Sequence, residues 1–311
     1  MFPPPLRPLA IDPIFGKIAK IKFSHSIDYP SGPEFIFDTI EGEPTTATQT
    51  AKIYYLSQTS PRFGYLQTAY LMADNLGVDT ELTKHIIDGE NVIFQDEEKK
   101  LVVNITKFNF EYEYNYADNE SIFQNAVFAS DDLIREKVKE SLRVLGRYPE
   151  ELAQGKDNLI FLYYNSQTKE FDVVDNRNNA NAVEIDFYRP DIDSFPIVAP
   201  KYFNSQNYVV VLSQGEQYKT LKAQINFFEK EEQKVGIYPL KTGEQAWQEL
   251  KEKRGAIISA GRNNNQITIK KMFLAYYDPD VYQEYLQPVY VFLGENGFVA
   301  YVPAIKEEYM E

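Results

Sequence analysis

The sequence predicts an α+β fold built as tandem units of one helix packed on antiparallel β-meanders. Three observations predict it. Hydrophobic residues make up 43% of the 311 positions, and 23 Tyr and 21 Phe weight the core toward large flat rings that favour sheets. Three amphipathic stretches carry helix start and stop signals. Short runs of alternating apolar residues follow each of them.

The first fifty residues hold Pro3, Pro4, Pro5, Pro8, Pro13, Pro30, Pro33 and Pro44. They read as an extended stalk with one strand at Glu34 to Thr39, followed by a polar linker over Thr45 to Thr50. Lys52 to Leu56 is a strand. Ser60 and Pro61 then supply an N-cap and a first helical residue. Leu66, Ala69, Tyr70, Ala73 and Leu76 form that helix's apolar stripe, and Gly77 closes it. Strands follow at Val92 to Phe94, Leu101 to Asn104 and Phe108 to Tyr116, the last with Phe108, Phe110, Tyr112, Tyr114 and Tyr116 on one face.

Ser130 caps a second helix, whose face is Ile134, Val138, Ser141, Leu142 and Leu145, and Gly146 ends it. Strands recur at Leu159 to Tyr164, Phe171 to Val174, Val183 to Tyr188, Tyr208 to Leu212 and Tyr218 to Glu229. The third helix has the fullest signal. Thr242 and Gln245 make a capping box, and Ala246, Trp247 and Leu250 share one face. Gly255 falls where a left-handed C-cap belongs. Trp247, the only Trp, reads as a core residue. Beyond it, Gln266 to Tyr277 changes phase near Lys270 and Lys271, which predicts a bulge. Pro288 is expected to open a strand and not to lie within one. Val289 to Leu293 and Phe298 to Val302 flank Gly294-Glu295-Asn296-Gly297, a hairpin signal.

Three segments follow from this reading: a Pro-rich stalk over 1–50, a first α+β domain over 51–200 with two helix-plus-meander units, and a second α+β domain over 201–311. The C-terminal one carries a resemblance. Tyr238 to Lys241, Ala246-Trp247, Leu250, Leu274 to Tyr277 and Leu286 to Phe292 resemble the extracytoplasmic regulatory domains of the YycH/YycI type and PepSY-like domains. The Pro-rich lead into Phe15-Gly16-Lys17 is similar to uncharacterised single-pass membrane proteins of candidate-phyla bacteria. The resemblance spans Val183 to Ile305 and rests on core-forming residues. It implies a non-catalytic sensor, regulator or protein-interaction module on the extracytoplasmic face, with another membrane or cell-envelope protein as its partner, and it brings no catalytic residue.

Composition limits the chemistry. The net charge of −14 argues against nucleic acid and anionic lipid as partners. With no Cys, disulfides, thiolate metal sites and thiol catalysis are excluded. His25 and His85 stand apart and lack ligand-like neighbours, so no metal or cofactor is expected. No phosphate-binding loop, nucleophile elbow or H-E-x-x-H motif occurs. MFPPPLRPLAIDPIFGK lacks the apolar core of a signal peptide and reads as a spacer, which carries the expectation of a membrane anchor before Met1; a frayed tail of a cytosolic protein is the competing reading. The polar runs at Asp175 to Asn181 and around Pro279 read as turns. Arg189, Tyr285 and Gln287 are the candidate binding residues, with a structural ion pair the competing role for Arg189. The enzymatic alternative is a carboxylate-dependent cell-wall hydrolase, which needs two acids at a set spacing and no sequence motif.

Overall fold

A computed structural model of the chain describes residues 9–28, 33–61, 63–214, 217–261 and 266–311. The fold is mixed α and β, dominated by sheet. In chain order the strands are β1 (Glu34–Phe37), β2 (Thr50–Leu56), β3 (Ile86–Asp88), β4 (Asn91–Gln95), β5 (Lys99–Asn104), β6 (Phe110–Tyr114), β7 (Lys156–Asn165), β8 (Glu170–Val173) and β9 (Ala182–Tyr188). They continue as β10 (Ile197–Val198), β11 (Asn207–Gln214), β12 (Gln217–Ile225), β13 (Lys230–Pro239), β14 (Ala256–Ala260), β15 (Gln266–Tyr277), β16 (Tyr285–Gly294) and β17 (Phe298–Pro303). The helices are α1 (Tyr65–Asn75), α2 (Asp131–Val144), the short α3 (Glu150–Gln154) and α4 (Gly243–Lys251).

The chain divides into two compact units, each discontinuous in sequence. The first comprises Met1–Gln58, Asp191–Asn204 and Phe228–Glu311; the second comprises Thr59–Pro190 and Ser205–Phe227. These boundaries replace those expected at 50 and 200. The cause is strand pairing across long sequence distance: β2 pairs with β13 from Ala51 against Tyr238 to Lys230 against Leu56.

In the second unit nine strands form one sheet in the order β3-β4-β5-β6-β12-β11-β9-β7-β8. The two helix-plus-meander stretches read from the sequence therefore share one sheet. Ala69, Met72 and Ala73 of α1 and Ile134, Val138 and Leu142 of α2 join one core with Phe94, Leu101, Tyr112, Ile185 and Phe187 of the strands. Ser130 accepts from the Leu133 N–H at 3.3 Å, as the capping signal requires. The start of α1 differs from expectation. Gly64, at φ 84°, is its N-cap, and no side chain caps it, so Ser60 and Pro61 lie ahead of the helix. Asp175 to Asn181 is a turn, but it carries the chain from β8 past β7 to β9, because both strands pair with β7.

In the first unit β1-β15-β16-β17-β14 form the main path, with β10 on β15 and β2 joining β13 to β16. The bulge foreseen in β15 lies between Ile269 and Lys271. Asn296 and Gly297 take positive φ of 57° and 81° in the β16–β17 connection, the geometry an Asn-Gly hairpin calls for. Pro288 lies inside β16. There one neighbour of β16 changes from β2, at Leu286, to β17, at Val289, so the missing N–H falls at a change of partner. The Pro288 carbonyl still accepts from Ala304 N–H at 3.1 Å.

The capping box of α4 is complete, and Trp247 is 7% exposed against Phe35, Phe37 and Phe292. The left-handed residue after α4 is Lys253 at φ 61°, not Gly255. Gly255 answers close packing instead: a Cβ there would lie 2.9 Å from Val302 Cγ2. The N-terminal segment is not a free stalk either. Asp12 exchanges backbone hydrogen bonds with Ile237 at 2.9 and 2.8 Å, and Ile18 is buried with its N–H on the Tyr309 carbonyl. Apolar Ile18 and Ile21 give this proline-bearing segment a face to bury. Pro3, Pro4, Pro5, Pro8 and Pro30 lie outside the described residues.

Candidate functional site

Arg189 follows β9 in the second unit. Its side chain is fully buried, its Nη1 donates to Glu151 Oε2 at 2.8 Å, and its guanidinium stacks 3.8 Å from the centre of the Phe227 ring. The chain at the end of α3 reaches this place only because residue 155 is Gly. A Cβ there would lie 1.8 Å from the Tyr188 carbonyl oxygen. Arg189 is therefore a buried structural ion pair and not a surface contact. Gln287 is also buried, and its Nε2 donates to the Ala19 carbonyl at 2.9 Å, fastening the N-terminal segment to β16. Tyr285 lies two residues away on the same strand and is half-buried. The structure thus brings Tyr285 and Gln287 together and leaves Arg189 in the other unit.

The two histidines are engaged locally. His85 Nδ1 pairs with the Tyr70 hydroxyl at 2.8 Å. His25 Nε2 lies 2.8 Å from Asp280 Oδ2, while Ser24 Oγ donates to Asp280 Oδ1 at 2.5 Å. Ser24, His25 and Asp280 are residue types of a hydrolytic triad in the wrong order of contacts. Ser24 Oγ contacts the carboxylate and not the imidazole, so the serine–histidine hydrogen bond that defines such a triad is not among these contacts. Among the described residues no group of three or more His, Cys, Asp or Glu could hold a metal ion.

Around Tyr285 the first unit carries an aromatic ladder that sequence reading missed apart from Tyr285 itself. Phe15 lies 5.0 Å from Tyr285, Tyr285 lies 6.1 Å from Tyr55, and the Lys234 ammonium sits 4.7 Å over Tyr55. All three rings are half-buried. Burial pushes the Tyr285 hydroxyl up to about 12, with Glu284 adding to the shift. Tyr282 is raised to about 12 by burial and by Tyr55. The rings come from the N-terminal segment, β2 and β16, so no local sequence pattern joins them.

The second unit holds the most perturbed acids, Glu184 and Asp186, on one face of β9. Asp186 is fully buried. Its Oδ2 accepts from the Tyr188 hydroxyl at 3.1 Å and from Ser205 N–H at 3.4 Å. Its Oδ1 is buried without a donor. Glu184 is hydrogen-bonded to Asp186. Burial first, and then the neighbouring Asp186 charge and that hydrogen bond, raise Glu184 to about 7. Burial raises Asp186 to about 6 against the lowering effect of its donors. Lys222, on the same face two strands away, is engaged with Tyr116 and with Glu113 at 3.1 Å. A polar cavity of about 420 Å³ opens beside it, lined by Lys100, Glu113, Tyr116 and Lys169 among others. The only sequence signal for the pair was two acids at period two inside an otherwise apolar strand.

No family model and no curated protein matches the chain. Among solved structures, the chain is similar to the crystal structure of an uncharacterised protein from Eubacterium rectale, with 12% identity, 81% of this chain and 82% of that chain covered, and a TM-score of 0.38. Among the described residues, no helix is long and apolar enough to cross a membrane.

Proposed function

We propose that the protein is a non-catalytic sensor, regulator or protein-interaction domain that acts on the extracytoplasmic face of a membrane, held there by an N-terminal anchor. Its partner is another membrane or cell-envelope protein. The half-buried ladder of Phe15, Tyr285 and Tyr55 carries the reading. Amphipathic rings with a charged rim are what interaction hot spots are made of, because they bury large area at low entropic cost. Lys234 and Glu284 provide that rim. The anchored, extracytoplasmic placement rests on the resemblance of the C-terminal stretch and on the Pro-rich lead.

The hydrolase alternative requires carboxyl groups about 5 Å apart or more, with room for the sugar or a water between them. Glu184 and Asp186 are hydrogen-bonded to each other, which leaves no such gap. Crosslinking from the ladder in intact cells, with a photoreactive residue in place of Tyr55, tests the reading. One discrete envelope protein should be captured, and Tyr285→Ala should remove it while the circular dichroism spectrum is unchanged. Crosslinks to soluble cytoplasmic proteins alone, or a yield indifferent to Tyr285→Ala, would refute it.

A further inference from the structure

We propose that Glu184 and Asp186 form a proton-operated latch in the nine-stranded unit: one shared proton closes the pair, and its loss sets two carboxylates against each other on an interior strand. The geometry supplies the argument. Residues two apart on a strand project to the same face, so β9 holds both carboxyls together whatever their charge. Asp186 Oδ1 is buried without a donor, and a carboxylate cannot donate to it. Glu184, on the same face of β9 and interacting with Asp186, becomes a donor only when protonated.

The surroundings do not neutralise the second charge. Across β11, Asp186 faces Tyr208 and Glu184 faces Val210. Across β7, Asp186 faces Asn158, Glu184 faces Ile160 and Tyr188 faces Lys156. Tyr188 and Ser205 donate to Asp186 Oδ2 and leave Oδ1 untouched. Farther along the face, β6 contributes Glu111 and Glu113, which add negative charge, opposite Gln224 and Lys222 of β12. Lys222 is engaged with Glu113 and Tyr116, and its charge lowers Glu184 by less than burial and Asp186 raise it. A proton is thus the ligand that completes the site. Both acids bind it more tightly folded than unfolded. Their contribution to stability is complete below the unfolded values, roughly 4, and is lost as the pH rises through the folded values of about 6 and 7.

Urea unfolding of the full chain, followed by far-ultraviolet circular dichroism at about pH 5 and about pH 8, tests the latch, and the folding equilibrium of the nine-stranded unit should fall on the order of a hundredfold between them. Glu184→Gln keeps a donor beside Asp186 at every pH, so in that variant the fall should shrink by roughly tenfold or more. A variant that falls as steeply as wild type would overturn the proposal. Carbon-13 titration of the wild-type carboxyls provides a measurement independent of whether the variant folds. Glu184 and Asp186 should titrate together well above the free-carboxyl range; ordinary, independent titrations would overturn the proposal as well.

Discussion

The two units bury charge in opposite ways. In the first, Lys241 is 5% exposed at its side chain and sits 2.9 Å from Glu249 and 3.2 Å from Glu307. In the second, two acids of the same sign share β9. A buried ammonium between carboxylates is paired on both sides and fixes its neighbours in place, because removing either partner strands a buried charge. Like charges forced together instead shed one of the charges by holding a proton. The first arrangement is a permanent fastening and the second a conditional one, and the difference lies in the sign of one neighbour.

Lys241→Met probes the permanent fastening and should have the largest effect. Glu249, 7% exposed, would lose its buried partner, and removing one member of such a pair costs about 3–5 kcal/mol. Trp247, the only Trp, lies on the same helix as Glu249, so its emission reports unfolding of this unit. A urea midpoint nearly unchanged by that probe would show that Lys241 is not a fastening at all. Adding Glu249→Leu should recover most of the loss, because it removes the stranded charge.

A buried cation in the second unit tests whether the contrast belongs to the units or to the groups. Arg189 pairs with Glu151, as Lys241 does with Glu249, but it also stacks on Phe227 at 3.8 Å. Arg189→Lys retains the charge and loses the planar stack, at a cost of about 2 kcal/mol by thermal unfolding. A loss as great as that from Arg189→Ala would mean that the stack, not the ion pair, does most of the holding.

What the sequence revealed and what it hid follow from the range of the interactions. The α4 capping box, the Ser130 cap, the β15 bulge and the Asn296-Gly297 turn are written within four residues, and each was legible. The path of β2 to β13 depends on residues some 180 positions apart, so the domain boundaries were not. β13 itself, KEEQKVGIYP, begins with charged residues, and its strand character comes from its partner. The candidate residues divide the same way. Arg189 could be read as an ion pair but not as buried, since Glu151 and Phe227 are distant in sequence. Phe15, Tyr55 and Tyr285 are three unremarkable rings until β2, β16 and the N-terminal segment meet.

Asp157 allows the finest comparison, since it pairs in register with Phe187 while its neighbour Asn158 pairs with Asp186. Its carboxylate, 17% exposed, accepts from Arg135 Nε at 2.7 Å and from Lys139 Nζ at 2.6 Å. Burial alone would raise its pKa, but the two cationic donors outweigh burial and hold it below the usual carboxylate range. The sign is opposite to that of the Glu184–Asp186 pair. Asp157 stabilises above its unfolded value and ceases to do so as the pH falls through its lowered folded value. Asp157→Asn should cost about 1 kcal/mol near neutrality and nothing in strong acid, where the wild-type group is protonated too. Acting together on one sheet, a paired acid that fails in acid and a like-charged pair that fails toward neutrality give stability a maximum at mildly acidic pH. Unfolding midpoints measured across that range for wild type, Asp157→Asn and Glu184→Gln should show the maximum lowered and the acid limb flattened by the first variant, with no change in strong acid, and the maximum extended toward neutral pH by the second. If both variants shift the whole curve without changing its shape, neither carboxyl site governs the unit's response to pH.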